Sequence, residues 1–551
     1  MINWISVQLK AMLGNGYLYS LIYKITYFLR AYFIIKPNIS RSLKSNSIPI
    51  TSLKKAQPLV VVPLLETNHY MNFHILGMAK AFSMRGHDVI VIVCDEYLPA
   101  CEIKNCRMPE SLNPCFKCNT NRSILTKLFG LKVVTLSSIF SDVDDPVDYG
   151  KQIFRDFSID KNKFNLMVED SVTRHFFGAE DLFDTKEVSK IRIGHTKTAY
   201  ISLALGEVIL KKYSPQLCLN IMKVYSAWGP LIDLFESAGI ASITLSMTQF
   251  NVNAIRINNA EEFRHKRTYQ RFLNNRNSQA LSLDESKDLD NFLDNRKSGN
   301  DRLMKEWSYF QETSIEDLDI NVNKKNVFLF TNLPWDQGLG EFTGIFDDVL
   351  DWVFKTIEHF KFDEEIDIWI KPHPVEVRGP VKSGKTVTEF IQTQYPKLPE
   401  NIHIINADKG INTYSLFKHI DVGVVLTGTV GLEMALGRIP MVSAGVNPCY
   451  GLGILTEPSS VDDYYRAIRS DANLVNNMSK LRLFSYYYFI QQCFRWPLTK
   501  RSLGDNFTDF DFSSADELKL GQIEDLDKIF DEIDSLVDDF NSDFQSRDLR
   551  K

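Results

Sequence analysis

The sequence predicts an α/β protein with two Rossmann-like domains, each built on a parallel sheet. Near the start, the buried run PLVVVPLL, the amphipathic segment FHILGMAKAFSMRG and the run HDVIVIVC follow one another as strand, helix and strand. In the second half, NVFLFTNLPWD opens a similar series that continues through IDIWIKPHP and DVGVVLTGTVGLEMALGRIPMVSAG. A strand–helix–strand order implies parallel strands joined by right-handed crossovers. We therefore expect two such sheets in one chain.

Length and composition agree with two globular domains. The chain has 551 residues, of which 44% are hydrophobic, and this is enough to bury two sizeable cores. A formal net charge of −6 argues against a general nucleic-acid partner. Eight cysteines in a chain of this size do not make a disulfide scaffold, and no convincing signal peptide precedes the first domain. The expected location is the reducing cytoplasm.

Residues 1–50 are expected to form a membrane-associating amphipathic helix and a linker. No Asp or Glu precedes Glu66, and the run YLYSLIYKITYFLRAYFII is interrupted by Lys24 and Arg30. These charges argue against a spanning helix, whereas aromatic residues mixed with Lys and Arg are typical of a helix in the membrane interface. The alternative is a helix packed on its own domain. On the first interpretation the protein is peripheral on the cytoplasmic face of the inner membrane. The basic residues before Glu66 are Lys10, Lys24, Arg30, Lys36, Arg41, Lys44, Lys54 and Lys55.

Four further segments follow. Residues 51–265 are predicted as the N-terminal α/β domain, with additional strands at KVVTLS, NLMVED, LCLNIM and ASITL. Residues 266–322 are polar, with weak helical periodicity around LDESKDLDNFLDNR, and are expected to form a helical connection. Residues 323–480 are predicted as the C-terminal α/β domain. Residues 481–551 are expected to form helices and then an acidic, loosely helical tail.

The segment Lys371-Pro372-His373-Pro374, called here the second loop, follows the apolar strand IDIWI. Both prolines fix φ and remove backbone donors, so the loop is stiff. The end of a strand in a parallel α/β sheet is the edge where ligands bind. His373 there can donate to a phosphate oxygen or protonate a leaving group, and Lys371 supplies a cation. The alternative is a rigid turn with an exposed histidine.

The third loop, residues 426–433, follows the strand DVGVVL and opens a helix. Gly428 and Gly431 allow close backbone approach, and Thr429 is a good helix cap and donor. A helix start attracts phosphate through its free amides and its dipole. Glu433, one turn further on, is placed to hold ribose hydroxyls. The alternative is an ordinary capped helix in which Glu433 favours the dipole.

The first loop, residues 331–336, follows the first strand of the second domain. Thr331, Asn332, Trp335 and Asp336 offer polar groups and one aromatic ring on the same predicted edge. We expect them to contact the sugar or base of a bound nucleotide sugar. The alternative is a turn that buries Trp335.

The order TNLPWD, IKPHP and DVGVVLTGTVGLEMALGRIPMVSAGVNPCYGLG resembles the capsule or surface polysaccharide biosynthesis glycosyltransferases. The resemblance covers about residues 326–455, while the N-terminal half matches only in general pattern. It implies a GT-B fold, in which two Rossmann-like domains face each other across a cleft. In that family and in the similar bacterial Kdo- and sialyltransferases the His-Pro motif contacts the donor phosphate, which implies this role for His373. Relatives often carry Ser-Thr where this chain has Gly428-Thr429, so a hydroxyl contact at 428 is absent.

The resemblance also raises the question of a general base. There is no second Glu spaced as in many retaining GT-B enzymes, which favours inverting transfer without deciding it. An inverting enzyme needs one base in the N-terminal domain. Glu66, in the first strand-end loop, is the candidate, and Asp170 after NLMV is the second. For each the alternative is a surface carboxylate or a helix cap, and His69 and His74 are candidate acceptor contacts.

Cofactors are expected only in a structural role. Cys101, Cys106, Cys115 and Cys118 lie within one short stretch and include a true C-x-x-C pair. Four thiolates suit tetrahedral zinc, and the alternatives are unrelated cysteines or a redox pair. No Asp-x-Asp motif lies at a predicted strand end, so transfer is expected to be metal-independent.

Together these observations predict a glycosyltransferase that moves a sugar from a nucleotide-sugar donor to a surface or capsular polysaccharide or its lipid-linked precursor. Two alternatives remain open at the level of sequence. One is a glycerol- or ribitol-phosphate transferase, which uses similar loops. The other is a non-catalytic family member that binds glycan or nucleotide as an assembly partner.

Overall fold

The computed structural model of the chain describes most of both domains. The described residues are 59–65, 69–107, 115–116, 118–120, 122, 129–157, 159–247, 254–259, 266–298, 315, 318–336, 342–378, 382–470, 477–500, 509–510 and 515–548. The predicted membrane-associating helix at residues 1–50 lies outside them. Among the described helices, none is both long and apolar enough to cross a membrane.

The strands form two large sheets and one small one. In chain order they are β1 (Leu59–Leu64), β2 (Asp88–Val93), β3 (Lys132–Thr135), β4 (Leu217–Asn220), β5 (Ala241–Met247), β6 (Ala254–Asn259), β7 (Lys325–Phe330), β8 (Ile366–Lys371), β9 (Ile402–Ile404), β10 (Val422–Val425), β11 (Met441–Ser443), β12 (Phe494–Arg495), β13 (Thr499–Lys500) and β14 (Asp509–Phe510). The first sheet has the order β12-β6-β5-β4-β1-β2-β3, the second β11-β10-β7-β8-β9, and β13 pairs with β14.

The helices cover both faces of these sheets. In the first domain they are α1 (His69–Met84), α2 (Leu136–Ile139), α3 (Pro146–Asp156), α4 (Lys161–Phe176), α5 (Thr185–Tyr213) and α6 (Tyr225–Ser237). The connection contains α7 (Lys266–Asn274) and α8 (Leu283–Lys297). The remainder are α9 (Val349–Phe360), α10 (Val387–Gln394), α11 (Val430–Leu436), α12 (Val461–Arg469), α13 (Met478–Tyr486) and α14 (Glu524–Asp548).

Continuous apolar runs become the central strands of the first sheet. In β1 and β2 every residue after the first is buried, because helices cover both faces of a parallel sheet. Strand β1 pairs in parallel with β2 and β4, while β6 and β12 are antiparallel at one edge. The strands predicted at KVVTLS, LCLNIM and ASITL are confirmed as β3, β4 and β5.

The strand predicted at NLMVED is wrong, because this segment lies inside helix α4. The Asp160 carboxylate caps α4 by accepting from the amides of Asn162 and Lys163. The buried residues of α4 recur three or four positions apart, which is the helical period. A short apolar run fits either a strand or a helix, and the Asp160 cap identifies this segment as part of a helix. The buried residues of α4 are Phe164, Met167, Val168, Ser171, Val172, His175 and Phe176.

The second sheet is also covered on both faces. One face packs against α9 and α12, with Trp352 and Tyr464 fully buried. The other face packs against the connection and α13, through Leu289 of α8 and Phe484 of α13. The helix predicted around LDESKDLDNFLDNR is confirmed as α8. It begins at a capping box in which Ser282 and Glu285 exchange hydrogen bonds.

The C-terminal segment returns to the first domain. Strand β12 pairs antiparallel with β6, and α14 buries Leu526, Ile529 and Ile533 in the first core. The expectation of a loosely helical tail was wrong for residues 524–548, which form one helix on the first sheet. Composition misled here because the acidic residues of α14 occupy only its outer face, while apolar residues recur at helical spacing on the inner one.

Candidate functional site

Three loops meet at the carboxyl ends of three adjacent strands in the second sheet. Strand β7 lies between β8 and β10, and all three are parallel. Phe330, the last residue of β7, pairs with Lys371 of β8 and with Val425 of β10. The first, second and third loops therefore leave the sheet at the same level. This is the common edge that the sequence predicted for the donor site.

Lys371 brings a positive charge into this edge. Its side chain is buried, with 5% of the residue exposed. Within the described part of the chain the ammonium has no hydrogen-bond or ion-pair partner. Burial lowers the pKa of Lys371 to about 8. A cation that lacks a carboxylate partner is suited to a bound anion, which would restore the lost solvation.

His373 is fixed beside Lys371 in a defined tautomer. Its Nδ1 accepts a hydrogen bond from the Val375 amide at 3.2 Å, so the ring proton of the neutral form lies on Nε2. Burial, and secondarily the charge of Lys371, lowers the pKa of His373 to about 4. At neutral pH the ring is therefore uncharged and offers one N–H donor.

Asn332 joins the first loop to the third. Its Nδ2 donates to the Thr427 hydroxyl at 2.8 Å, and its Oδ1 accepts from the Thr427 amide at 3.4 Å. Thr331 next to it is 5% exposed, and its hydroxyl has no hydrogen-bond partner within the described residues. Sequence reasoning placed Thr331 and Asn332 at this edge but gave no role to Thr427, which lies in the third loop.

The third loop offers fewer amides than expected. The amide of Gly431 donates to the Gly428 carbonyl at 3.2 Å, so it is not available to a ligand. A Cβ on Gly431 would lie 2.9 Å from Val425 Cγ2, so this glycine lets α11 pack on its strand. The amides of Gly428 and Thr429 have no partner among the described residues. Thr429 begins the helix, but its side chain makes no capping hydrogen bond.

The Glu433 carboxylate, which was predicted to contact ribose, is bound by two side chains of the protein itself. It is 4% exposed, and its carboxylate pairs with the Arg296 guanidinium at 2.9 Å and accepts from the Tyr414 hydroxyl. Arg296 comes from α8, which explains why local sequence could not reveal it. The prediction that Glu433 binds ribose is therefore wrong for this geometry.

Trp335 is buried between the domains, so its predicted contact with the donor is wrong here. Its ring is 4% exposed and meets Phe177 of the first domain edge-on, with 5.3 Å between ring centroids. Its Nε1 donates to Ser383 Oγ at 2.8 Å. Asp336 lies 3.7 Å from the Arg174 guanidinium, also of the first domain.

The candidate bases are not brought to the site by the described residues. Glu66 lies outside them, and nothing is described of the His69 side chain. Asp170 lies within α4 and is half-buried, so it does not follow a strand as predicted. His74 is buried in α1 and its ring meets Trp496 at 5.0 Å, which leaves no exposed edge for an acceptor.

The described residues do not bring the four cysteines together, and the structural zinc proposed for them stays a prediction. Cys115 lies near Cys118, whereas Cys106 lies beside Arg107 and the apolar cluster around Trp335. Among the described residues, which include all four thiols, no group of three metal-binding side chains is close enough to hold a metal. Burial also raises the pKa of Cys106 and Cys115, which favours the protonated thiols.

The chemistry of this site follows from its charges and donors. A buried cation, a neutral imidazole N–H and two amides that have no partner among the described residues lie at one sheet edge, with no carboxylate described among them. Such a set stabilises a phosphate and the charge that develops on it as a bond breaks.

Fold and site together define a two-domain α/β protein of the GT-B class, as the sequence predicted. Residues 298–494 match the family of capsule polysaccharide biosynthesis proteins. This stretch contains all three loops, and the match confirms the resemblance carried by the motifs. No curated protein sequence matches the chain.

Similar solved structures include two of Thermosulfurimonas dismutans KpsC. The β-Kdo 2,4-transferase is 11% identical, with 50% of this chain and 79% of that chain covered and a TM-score of 0.35. The β-Kdo 2,7-transferase is 13% identical, with coverages of 60% and 88% and a TM-score of 0.32. The UDP-GlcNAc 2-epimerase of Neisseria meningitidis is 10% identical, with coverages of 79% and 98% and a TM-score of 0.23. Likenesses at this level support no statement about substrate or mechanism.

Proposed function

We propose that this protein is a glycosyltransferase that moves a sugar from a nucleotide-sugar donor to a capsular or surface polysaccharide or its lipid-linked precursor. The observation that carries the proposal is the buried Lys371, which has no ion-pair partner in the described part of the chain, beside neutral His373 at the carboxyl edge of the second sheet. The family match over residues 298–494 supports the same class of substrate.

In this proposal the second domain binds the donor. Lys371 neutralises charge on the nucleotide phosphate, and His373 Nε2–H donates to a phosphate oxygen. The free amides of Gly428 and Thr429 complete the cradle, while Asn332 holds Thr427 and so fixes the third loop against the first. Because these groups stabilise the leaving phosphate more than the bound donor, they contribute to the rate as well as to affinity.

The acceptor side is assigned to the first domain. Glu66 is proposed as the base of a metal-independent, inverting transfer, with Asp170 as the second candidate. Residues 1–50 are proposed to keep the enzyme at the cytoplasmic face of the inner membrane, near a lipid-linked acceptor. Support for the membrane contact comes from the basic, aromatic composition of that segment.

A panel of CMP-, UDP- and GDP-linked sugars tests the function, with release of free nucleotide as the readout. We expect turnover with one donor and a loss of about a hundredfold in His373→Ala, because one oxyanion-type donor is removed. His373→Gln, which retains a side-chain N–H, should lose less. His419→Ala is the matched control, since His419 precedes β10 and lies at the opposite sheet edge.

Three results would speak against the proposal or refine it. Equal turnover in His373→Ala and the wild type would remove the phosphate role of the second loop. Turnover with CDP-glycerol or CDP-ribitol but with no nucleotide sugar would assign the protein to polyol-phosphate transfer. Binding of nucleotide sugars without release, on any acceptor, would identify a non-catalytic binding protein.

A further inference from the structure

Helix α4 ends in an unfavourable backbone conformation that faces the second domain. Phe177 follows its last residue with φ of 54°, in the left-handed region that favours glycine. Gly178 comes next with φ of 77°. An aromatic residue persists at such a position when its surroundings require the side chain. The contacts of the Phe177 ring are therefore expected to stabilise this strained helix end.

The Phe177 ring is the first-domain half of an aromatic contact between the domains. It meets Trp335 edge-on, and a Cβ on Gly178 would lie 3.2 Å from Trp335 Cδ1. Two guanidinium groups cover the rings, with Arg107 Cζ 4.0 Å from the Phe177 centroid and Arg174 Cζ 4.6 Å from that of Trp335. Both stackings have cation–π geometry.

The two backbones also meet directly. The Gly384 amide donates to the Phe177 carbonyl at 2.8 Å. A Cβ on Gly384 would lie 2.6 Å from the Phe176 carbonyl oxygen, so only glycine permits this approach. Beside it, Lys385 pairs with Asp181 of the first domain. We call the contact of Phe177, Gly178, Trp335 and Gly384 the interdomain joint.

The joint continues into the second loop through Val375. The Val375 side chain is 3% exposed and lies in one apolar cluster with Phe177, Leu333 and Trp335. Its amide is the group that donates to His373 Nδ1 and so fixes the imidazole. The first domain thus supports, through one intervening residue, the orientation of the imidazole at the donor site.

We propose that Phe177 and Trp335 are positioning residues, and that closure of the joint holds Val375 and His373 in the orientation that donates Nε2–H to the donor phosphate. This inference rests on the proposed function for its catalytic consequence, but the joint itself is testable without it. Lys371, Gly428 and Thr429 belong wholly to the second domain. Ground-state binding of the nucleotide is therefore expected to depend little on the joint.

The decisive variant is Gly384→Ala, which separates the backbones without removing any core side chain. We expect a larger radius of gyration by small-angle scattering. Turnover should fall at least about tenfold, because a small misplacement of a catalytic group has effects of this size. The nucleotide dissociation constant should change by less than about threefold, since Lys371 and the two free amides stay in place. Gly194→Ala is the control, because its Cβ would meet only Ala100 Cβ at 3.2 Å.

A second pair of variants separates positioning from general stability. Trp335→Ala should reproduce the selective loss of turnover, and Trp335→Phe, which keeps a ring against Phe177, should restore most of it. Equal losses of turnover and of nucleotide affinity, in step with a lower melting temperature, would overturn the positioning role. Unchanged scattering and turnover in Gly384→Ala would overturn the joint even if the enzyme transfers sugar. An expanded Gly384→Ala in a protein without transferase activity would keep the joint and reject the function.

Discussion

At the scale of single residues, Lys371 shows how burial changes the properties of a cation. A lysine in water is solvated and charged, whereas this one lies inside the sheet edge with no carboxylate described beside it. The folded protein pays for this arrangement in stability, since burial disfavours the charged form. The cost is consistent with a site that is completed by an anionic ligand.

The pH dependence of stability tests the state of Lys371. Its folded pKa is about 8, below the ordinary value of 10.5, so the unfolded chain binds more protons between these two pH values. The free energy of unfolding should therefore rise with pH across this window, relative to Lys371→Met, by about 2 kcal/mol between pH 7 and 9.5. Chemical denaturation of both proteins measures it, with Lys418→Met as an exposed control. Parallel curves for wild type and Lys371→Met would show that the ammonium is solvated.

The pH dependence of stability also tests the state of His373, but in an acidic pH range. Burial and Lys371 lower its folded pKa to about 4 from an ordinary value of 6.5, so the unfolded state binds more protons between these values. Wild-type stability should fall relative to His373→Gln as the pH drops from 6.5 to 4 and should be independent of His373 above 6.5. Denaturation midpoints at three pH values decide it. A difference that grows above pH 7 instead would mean that the ring is charged in the folded protein.

Sequence reasoning placed a residue correctly where its position depends on its own loop, and failed where its side chain has a partner that is distant in the chain. Lys371, His373 and Asn332 follow strands directly, so their placement came from local pattern. Glu433 and Trp335 follow the same pattern, but their partners are Arg296 and Phe177, far away in the chain. Nothing in the neighbouring sequence distinguishes these two situations.

At the scale of secondary-structure elements, the Arg296–Glu433 pair ties the connection helix α8 to α11 beneath the third loop. Both side chains are at most 6% exposed, so the pair is buried and hydrogen-bonded. Removing one partner leaves the other charge uncompensated. The pair therefore fixes how the third loop sits on the connection.

Mutation of this pair should be strongly non-additive. Arg296→Met is expected to cost about 3–5 kcal/mol of unfolding free energy, because it leaves Glu433 buried and unpaired. Arg296→Met combined with Glu433→Gln should recover much of that loss. A double-mutant cycle by urea denaturation measures the coupling. Additive effects of the two substitutions would show that the carboxylate is solvated in the folded state.

The type of an element was predictable where the helix cap and the hydrophobic periodicity agree. In α4 the two signals conflict, and the predicted strand was wrong. NLMVED alone fits a strand, while Asp160 three residues before Lys163 marks a helix start. Helix α8 was predicted correctly from its weak helical periodicity, because its polar surroundings left no competing strand, and the structure shows a capping box at its start. Conflict between a short apolar run and a neighbouring cap is thus resolved by the cap.

At the scale of the whole molecule, the C-terminal segment links the two domains a second time. The chain leaves the second domain, adds β12 to the first sheet and then covers that sheet with α14. Arg85 of the first domain stacks on Phe530 of this helix at 3.9 Å and pairs with Asp527. The acidic composition of the segment concealed this role, although its apolar residues recur at helical spacing.

Truncating one inner residue of α14 should destabilise the first domain. Ile533 is fully buried in the first core, so Ile533→Ala is expected to cost about 2–5 kcal/mol. Lys528→Ala on the same helix should change stability by less than about 0.5 kcal/mol, because Lys528 is exposed. Thermal unfolding followed by circular dichroism measures both. Equal effects of the two substitutions would mean that α14 is not part of the first core.

The most direct measurement is the affinity of the protein for nucleoside diphosphates compared with the matching nucleosides, determined by calorimetry for the wild type, Lys371→Met and His373→Ala. Loss of the buried cation in Lys371→Met should weaken diphosphate binding at least about tenfold, since it removes a charge-assisted contact to phosphate. Loss of the imidazole donor in His373→Ala should weaken it less than about threefold, because this N–H acts mainly on the phosphate as it leaves. Nucleoside binding, which does not use these groups, should be unchanged. Diphosphate affinities that are equal in all three proteins would contradict the phosphate site at the meeting point of the three loops.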